Sequence, residues 1–564
     1  MTTTDPDELA APLDLVLTSA AAGPVARMLS VRTWGRLGLG LARQPGSVVR
    51  RGTDLAAELG SIALGTATRA PSSRDRRFAE PGWSQNPFLR RILQAYLASA
   101  EALRDLAADV ELEWRDREKT DFAVDNIVDL LAPSNMPLLS PAFWQAVIDT
   151  GGQNVIRGAR HLIEDLAVAP RVPSMVEPDA FAVGESLAVT PGAVVLRTEV
   201  FELIQYAPRA EQVHEVPLVI VPPVINKYYI VDLAPGRSMV EHYLDQGHQV
   251  FVISWRNPDA RHREWAFDTY GQAILDALDA AARVTGAAQA HVMSVCSGGM
   301  LAAMTLSHLA ELGKLDRIAS FGLAVSVIDN SKAGTTMALV DEEIARAAVA
   351  KSQAKGYLDG RALAEVFAWL RPNDLIWSYW VNNYLQGRKP AAFDVLFWNA
   401  DTTRMAAGLH RDFIDTALSN ALTSPGAATM LGSPVDLKAV TVPTYIVAGI
   451  ADHISPWQSC YRTTQLLGGD VRFVLSTSGH IASMVNPPGN PKASYHVTPE
   501  WPGEHPADPE QWLATSAEER GSWWPDHSAF LAERGGKLVA APETLGGGGL
   551  KPLIPAPGSY VKDT

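Results

Sequence analysis

The stretch His291-Val-Met-Ser-Val-Cys-Ser-Gly-Gly-Met300 joins an apolar run to a pair of glycines through Cys296, one of only two cysteines in the chain. Ala290–Val295 has the length of a buried strand, and the sequence after Ser297-Gly298-Gly299 reads as a helix, so Cys296 falls on the turn between them. A side chain on such a turn sits in a strained backbone conformation, and the helix must pass close to the strand, which gives the small residues a steric reason. Free cysteine is among the most buried residue types, so one cysteine at a strand end would ordinarily be core. The surroundings decide.

Outward from this stretch, short apolar segments alternate with helical patterns: PLVIVPP from Pro217, QVFVISW from Gln249, a helix through YGQAILDALDAAARVTG, RIASFGLAVSVID from Arg317, TYIVAGI from Thr444 and VRFVLST from Val471. Such alternation predicts an α/β fold with a mostly parallel sheet. On that fold a strand–nucleophile–helix turn is the elbow of the α/β-hydrolases, G-x-S-x-G, here with cysteine as nucleophile and Ser294 at the first glycine position. Between Asn330 and about Pro434 the alternation gives way to helical, Trp-rich sequence, expected to be a cap inserted over the carboxyl edge of the sheet. The segment AVTPGAVVLRTEVFELIQYAP, from Ala188 to Pro208, has β-branched runs around a Thr-Pro-Gly turn and predicts a hairpin. The sequence before it, such as FLRRILQAYLASAEALRDLAADVELEW, is helical in spacing. The expected organisation is a helical N-terminal domain over 1–185 and an α/β-hydrolase catalytic domain over 186–564, with the cap at about 330–434.

A thiol nucleophile needs a base and a carboxylate that orients the base. In this fold the order along the chain is nucleophile, acid, histidine. Asp452 follows the strand TYIVAG and His480 follows VRFVLST, which puts both on turns at the edge where Cys296 lies. His453 competes as base, but its place beside Asp452 turns it away from the site, so it is assigned a supporting role. Asp329, at the end of another strand, is the competing acid. An oxyanion hole requires N–H groups, and Pro222 and Pro223 have none. The expected donors are therefore Val224 or Ile225, with the N–H of Ser297.

At 564 residues two or more structural units are expected. A net charge of -14 argues against nucleic acid as partner, since phosphate binding needs a basic face. The start, MTTTDPDELA, has no cationic segment before an apolar one, and no window of about 18 apolar residues follows, so a cytoplasmic, non-spanning protein is expected. Two cysteines without a CxxC or a histidine cluster make neither a disulfide framework nor a metal site. Gly546–Gly549 and its Pro-rich sequel read as a loose tail segment.

Several longer stretches carry a resemblance: RRFAEPGWSQNP from Arg76, VPPVINKYYIVDLAP from Val221, VISWRNPD from Val252, the box around Cys296, FAWLRPNDLIWSYWVNNYL from Phe367, FWNADTTRM from Phe397, AGIADHISPWQSCYR from Ala448 and SGHIASMVNPPGNPKA from Ser478. In these the chain resembles the polyhydroxyalkanoate synthases, and in length and wording the class that commonly uses medium-chain monomers. The resemblance implies polymerisation of (R)-3-hydroxyacyl-coenzyme A into a polyester with release of coenzyme A, through an acyl group on Cys296, with His480 as base and Asp452 orienting it. It implies no cofactor beyond the coenzyme A thioester substrate, a place at the surface of polyester granules, and a homodimer. The family box is G-x-C-x-G-G, so Ser294 is a departure in backbone fit. Two rival readings are a thioester or polyester hydrolase on the same fold and a non-enzymatic granule-coating protein.

Overall fold

A computed structural model describes residues 31–564 apart from 74, 169–170, 332–341, 362–367, 370, 453, 499–500, 502 and 504. The strands of the main sheet are β1 (Gly192–Arg197), β2 (Phe201–Tyr206), β3 (Leu218–Val221), β4 (Val250–Trp255), β5 (Ala290–Val295), β6 (Ile318–Ala324), β7 (Thr444–Gly449), β8 (Val471–Ser476), β9 (Ser494–Val497), β10 (Ala517–Arg520) and β11 (Ile554–Pro555). They form one 11-stranded sheet in the order β10-β9-β8-β7-β6-β5-β3-β4-β2-β1-β11. From β4 through β3, β5, β6 and β7 to β8 neighbouring strands run parallel, and antiparallel strands flank them on both sides. The expected hairpin is β1–β2. β3, β4, β5 and β7 are buried at every residue, which is why they read as continuous apolar runs rather than as alternations. This is the α/β-hydrolase fold, preceded by a helical N-terminal region.

The chain divides into two compact units. One holds Met1–Glu177, Thr335–Ile344 and Arg361–Ala392; the other holds Pro178–Gly334, Ala345–Gly360 and Phe393–Thr564. The division falls slightly before the expected boundary at 185/186, and it runs through the helical insert expected at 330–434.

The first unit contains α1 (Val31–Arg43), α2 (Pro45–Leu64), α3 (Pro87–Ala108), α4 (Trp114–Leu130), α5 (Pro141–Thr150) and α6 (Gln153–Ala167). Asn86 caps α3 by accepting the N–H groups of Phe88 and Leu89, and Ser140 caps α5 ahead of Pro141. Tryptophan-rich residues 373–385 of the insert belong to this unit because their polar atoms find partners there. The Trp380 indole donates to the Asn135 carbonyl at 3.1 Å, and Asn154 donates to the Leu385 carbonyl at 2.8 Å. Gly158 on α6 lies directly against the Tyr384 backbone, where any Cβ would collide.

Helix α6 is inside out. Its inward face carries Asn154, Gly158, His161 and Asp165, which bond to or pack on Asn383, Tyr384 and Leu385. Its outward face carries Val155, Ile156 and Ile163, the last two 74% and 68% exposed. A polar inward face satisfied by backbone carbonyls leaves the apolar stripe of an amphipathic helix pointing to solvent.

Candidate active site

In the second unit, helix α7 (Phe267–Thr285) precedes β5, and β5 runs through Cys296 into α8 (Ser297–Glu311). Cys296 has φ 51° and ψ -121°, a left-handed conformation in which a side-chain-bearing residue is strained. The strain is held by neighbours. Cys296 N–H donates to the Ala324 carbonyl at 2.8 Å, and Ser326 Oγ donates to the Cys296 carbonyl at 3.0 Å. A Cβ on Gly298 would come within 2.5 Å of the Pro222 oxygen and 2.8 Å of the Val221 oxygen, and one on Gly299 would strike the Ser326 side chain. These contacts give the glycine pair the role that the strand–helix approach demands. Ser294 fits at the first motif position because its Oγ donates to the Gly322 carbonyl of β6 at 2.7 Å, so the hydroxyl is buried with a partner.

Asp452 lies three residues beyond β7, and His480 opens helix α11 (His480–Val485) beyond β8, after α9 (Asp394–Ala400) and α10 (Trp457–Leu466). The structure brings Cys296, Asp452 and His480 together. His480 Nδ1 and Asp452 Oδ2 are 2.6 Å apart, and Cys296 is the imidazole's other electrostatic neighbour. Asp452 Oδ1 accepts the N–H groups of Ile454 at 2.8 Å and Ser455 at 2.9 Å, which fixes the carboxylate plane. The indoles of Trp523 and Trp524 donate to the carbonyls of Ser483 and Met484, bracing the helix that carries His480. Burial opposes charge on His480, but the Asp452 carboxylate, its hydrogen bond to the ring and the neighbouring Cys296 outweigh it and push the imidazole pKa up to about 10.

The other candidates are placed elsewhere. Asp329 accepts from Ser331 N–H, from Asn420 Nδ2 at 2.9 Å and from Arg462 Nε at 3.0 Å. Although burial raises its carboxyl, these partners together hold it below the usual range. It is a structural ion-pair residue. Cys460 is fully buried on α10, with Sγ 3.7 Å from the Ser455 carbonyl, and burial pushes its thiol well up, away from the nucleophilic form. His453 lies outside the described residues. Val224 N–H donates to Ser297 Oγ at 3.1 Å, which ties the loop after β3 to the start of α8.

Sequence reasoning missed the residues that hold this loop from behind. Lys227, with its side chain 4% exposed, pairs with Asp401 at 2.8 Å, and the Trp398 indole donates to the Lys227 carbonyl at 2.7 Å. The available signal was a lysine in the largely apolar run VPPVINKYYIV, because a buried ammonium must bring a counter-charge with it.

Residues 74–243 match the family described as the N-terminus of poly-beta-hydroxybutyrate polymerase, and residues 231–487 match the alpha/beta hydrolase fold. The chain is similar to poly(3-hydroxyalkanoate) polymerase 2 of Ectopseudomonas oleovorans, 46% identical over 90% of each chain. It is 43% identical to polymerase 1 of the same organism over 92% of each chain. The corresponding polymerase subunit of Cupriavidus necator is 40% identical over 90% of this chain and 86% of its own. With a hydrolase sheet whose elbow presents cysteine in place of serine, a helical N-terminal region, and similarity running along nine-tenths of both chains, the protein belongs to the poly(3-hydroxyalkanoate) polymerase family of acyltransferases.

Proposed function

We propose that the protein polymerises (R)-3-hydroxyacyl-coenzyme A through an acyl group carried on Cys296, with coenzyme A released at each addition. The observation that carries this is an imidazole hydrogen-bonded to Asp452 beside the strained elbow residue Cys296 at the carboxyl edge of the sheet. His480 draws the proton from the thiol, helped by the carboxylate that stabilises the imidazolium and by the amino end of α8 beside the thiolate. The thiolate attacks the thioester carbonyl, and the coenzyme A sulfur leaves with the proton from His480. The hydroxyl of another unit then attacks the Cys296 thioester, its proton passing to His480, so that an ester forms and the cysteine sulfur is freed. Exchange of one thioester for another is nearly balanced in free energy, which keeps the acyl group activated for the next hydroxyl. Asp452 orients His480 and assists activation of that hydroxyl.

With the Val224 N–H turned to Ser297 Oγ, the Ile225 and Ser297 N–H groups are the donors for the developing oxyanion. The reaction calls for no metal or prosthetic group; the coenzyme A thioester is substrate. Purified protein given 3-hydroxybutyryl- or 3-hydroxyoctanoyl-coenzyme A is expected to form polymer and stoichiometric coenzyme A. Free hydroxy acid as the product would instead identify a hydrolase, and no turnover a coating protein.

The same reading places the enzyme in the cytoplasm at the polyester granule surface, as a homodimer. No helix among the described residues is long and apolar enough to cross a membrane, and the outward apolar face of α6 supports contact with a polyester surface. The double substitution Ile156→Asp/Ile163→Asp is expected to lower co-sedimentation with polymer particles while leaving turnover of soluble substrate within about two-fold. Unchanged co-sedimentation would remove α6 from this role, and sedimentation of the free protein as a monomer would remove the homodimer.

A further inference from the structure

We propose that the buried Lys227–Asp401 ion pair is a positioning device for the oxyanion loop, presetting the backbone donors that receive the thioester oxygen. This rests on the assignment of the loop after β3 to that role. Residues Pro222–Lys227 leave the end of β3 and pass over Gly298, with little secondary structure of their own to hold them. Instead, a single distant segment, Trp398 to Thr403, grips them at successive points. The Trp398 indole donates to the Lys227 carbonyl at 2.7 Å, Lys227 Nζ meets Asp401 Oδ1 at 2.8 Å, Asn226 forms an antiparallel bridge with Thr402, and Thr403 Oγ approaches the Val224 carbonyl at 3.5 Å. The second Asp401 oxygen accepts the Tyr229 hydroxyl at 3.0 Å, so both carboxylate oxygens are engaged. On the inner side, the Trp255 indole donates to the Pro222 carbonyl at 3.1 Å and Ser297 Oγ takes the Val224 N–H.

A buried ion pair is a weak source of stability, because removing two charges from water costs nearly what their attraction returns. It is a strong source of register: Lys227 can satisfy its charge at one place only. Donors for an oxyanion act by being fixed before the charge appears, so a loop that drifts by a fraction of an ångström loses rate without losing fold.

The test uses the full-length enzyme with Lys227→Met/Asp401→Asn, which nearly keeps the volume, leaves Tyr229 an acceptor and removes both charges. Two chemistries at Cys296 are then compared. Alkylation by iodoacetamide displaces iodide from a saturated carbon and builds no oxyanion; it requires only the thiol and His480. Single-turnover acylation by a hydroxyacyl-coenzyme A requires the oxyanion donors as well. The expected result is an alkylation rate within about two-fold of wild type, an acylation rate about 10²-fold to 10³-fold lower, and little change in KM, the usual consequence of losing an oxyanion donor. Lys227→Arg, which keeps the charge, should recover most of the acylation rate. Unchanged acylation overturns the proposal, and so does a parallel fall in both rates, which would mark the pair as structural support. Failure of the underlying assignment is separately visible: in that case Ile225→Pro, which removes the assigned donor N–H, would leave acylation intact.

Discussion

The two ends of strand β5 bury histidine in opposite ways. At the amino end, His291 is fully buried with Nδ1 2.7 Å from Ser320 Oγ, and burial pushes its pKa down to about 3. Around it, His248 stacks on His214 with ring centroids 4.8 Å apart, and His527 Nδ1 lies 2.6 Å from the Tyr243 hydroxyl. Burial lowers His248 to about 4 and His527 well below its ordinary value, and the histidines, with Arg534 beside His291, repel one another's protons. At the carboxyl end, His480 is also buried, but its affinity for a proton is raised, to a pKa of about 10. The difference is one carboxylate at 2.6 Å. Burial by itself discharges an imidazole, and a buried carboxylate reverses the outcome; only the second arrangement makes a strong base.

The largest test of this contrast is kinetic. His480→Gln should lower polymer formation by about 10³-fold or more, the upper range for losing a general base. His291→Gln, at the other end of the same strand, should leave the rate within about three-fold. A comparable loss from both would mean that the amino-end cluster takes part in catalysis.

Next in size is Asp452→Asn, which keeps the imidazole but removes the charge that distinguishes the two ends. The initial burst of coenzyme A should persist, because a thiol needs less help than an alcohol, while elongation falls by ~2 orders of magnitude. Asp329→Asn should show no such split, its carboxylate being committed to Asn420 and Arg462. Loss of the burst in Asp452→Asn would show that the orienting and hydroxyl-activating roles are not separable.

The two ends should also differ in how pH moves stability. The unfolded chain's imidazoles take up protons near pH 6.5, whereas folded His248 and His291 resist until about pH 4 and 3. Stability should therefore fall as pH drops below about 6.5, and His248→Phe should flatten that fall by on the order of 3 kcal/mol in urea titrations at pH 4 to 5. His480 has the opposite sign. Its folded pKa of about 10 lies above the unfolded value, so its contribution is complete below about pH 6.5 and is lost as pH rises toward 10. An acid limb unaltered by His248→Phe would show that this histidine is already solvated in the folded state.

The smallest expected effect concerns the second thiol. Cys460→Ala should keep most of the activity, whereas Cys296→Ala should abolish it, because Cys296 stands on the strand–helix elbow and Cys460 is fully buried on α10. Peptide mapping after alkylation should place the label on Cys296.

Cys296, Asp452 and His480 were legible in the sequence because each follows a strand whose apolar run marks where the sheet ends, and the fold then fixes what stands at that edge. The glycine pair was legible for the same reason. The support behind the site was not. Lys227 and Asp401 are 174 positions apart, and nothing periodic links them. The exposed face of α6 shows a different limit: spacing identifies an apolar stripe, but only the carbonyls of Asn383 and Leu385 decide that the polar face turns inward. In the same way, the Trp-rich insert reads as one helical block, and only the partners found by Trp380 and its neighbours divide it between two units.

The inside-out helix leads to the expectation that the protein is interfacially active. A molecule carrying isoleucines 74% and 68% exposed is expected to lower its free energy by covering them wherever water meets something oily. In dilute solution it is expected to adsorb to plastic, glass and bubbles, so that apparent specific activity falls on dilution and recovers with a little mild detergent. A lag before polymer accumulates would then reflect scarcity of a surface to wet, and seeding with preformed particles should shorten it.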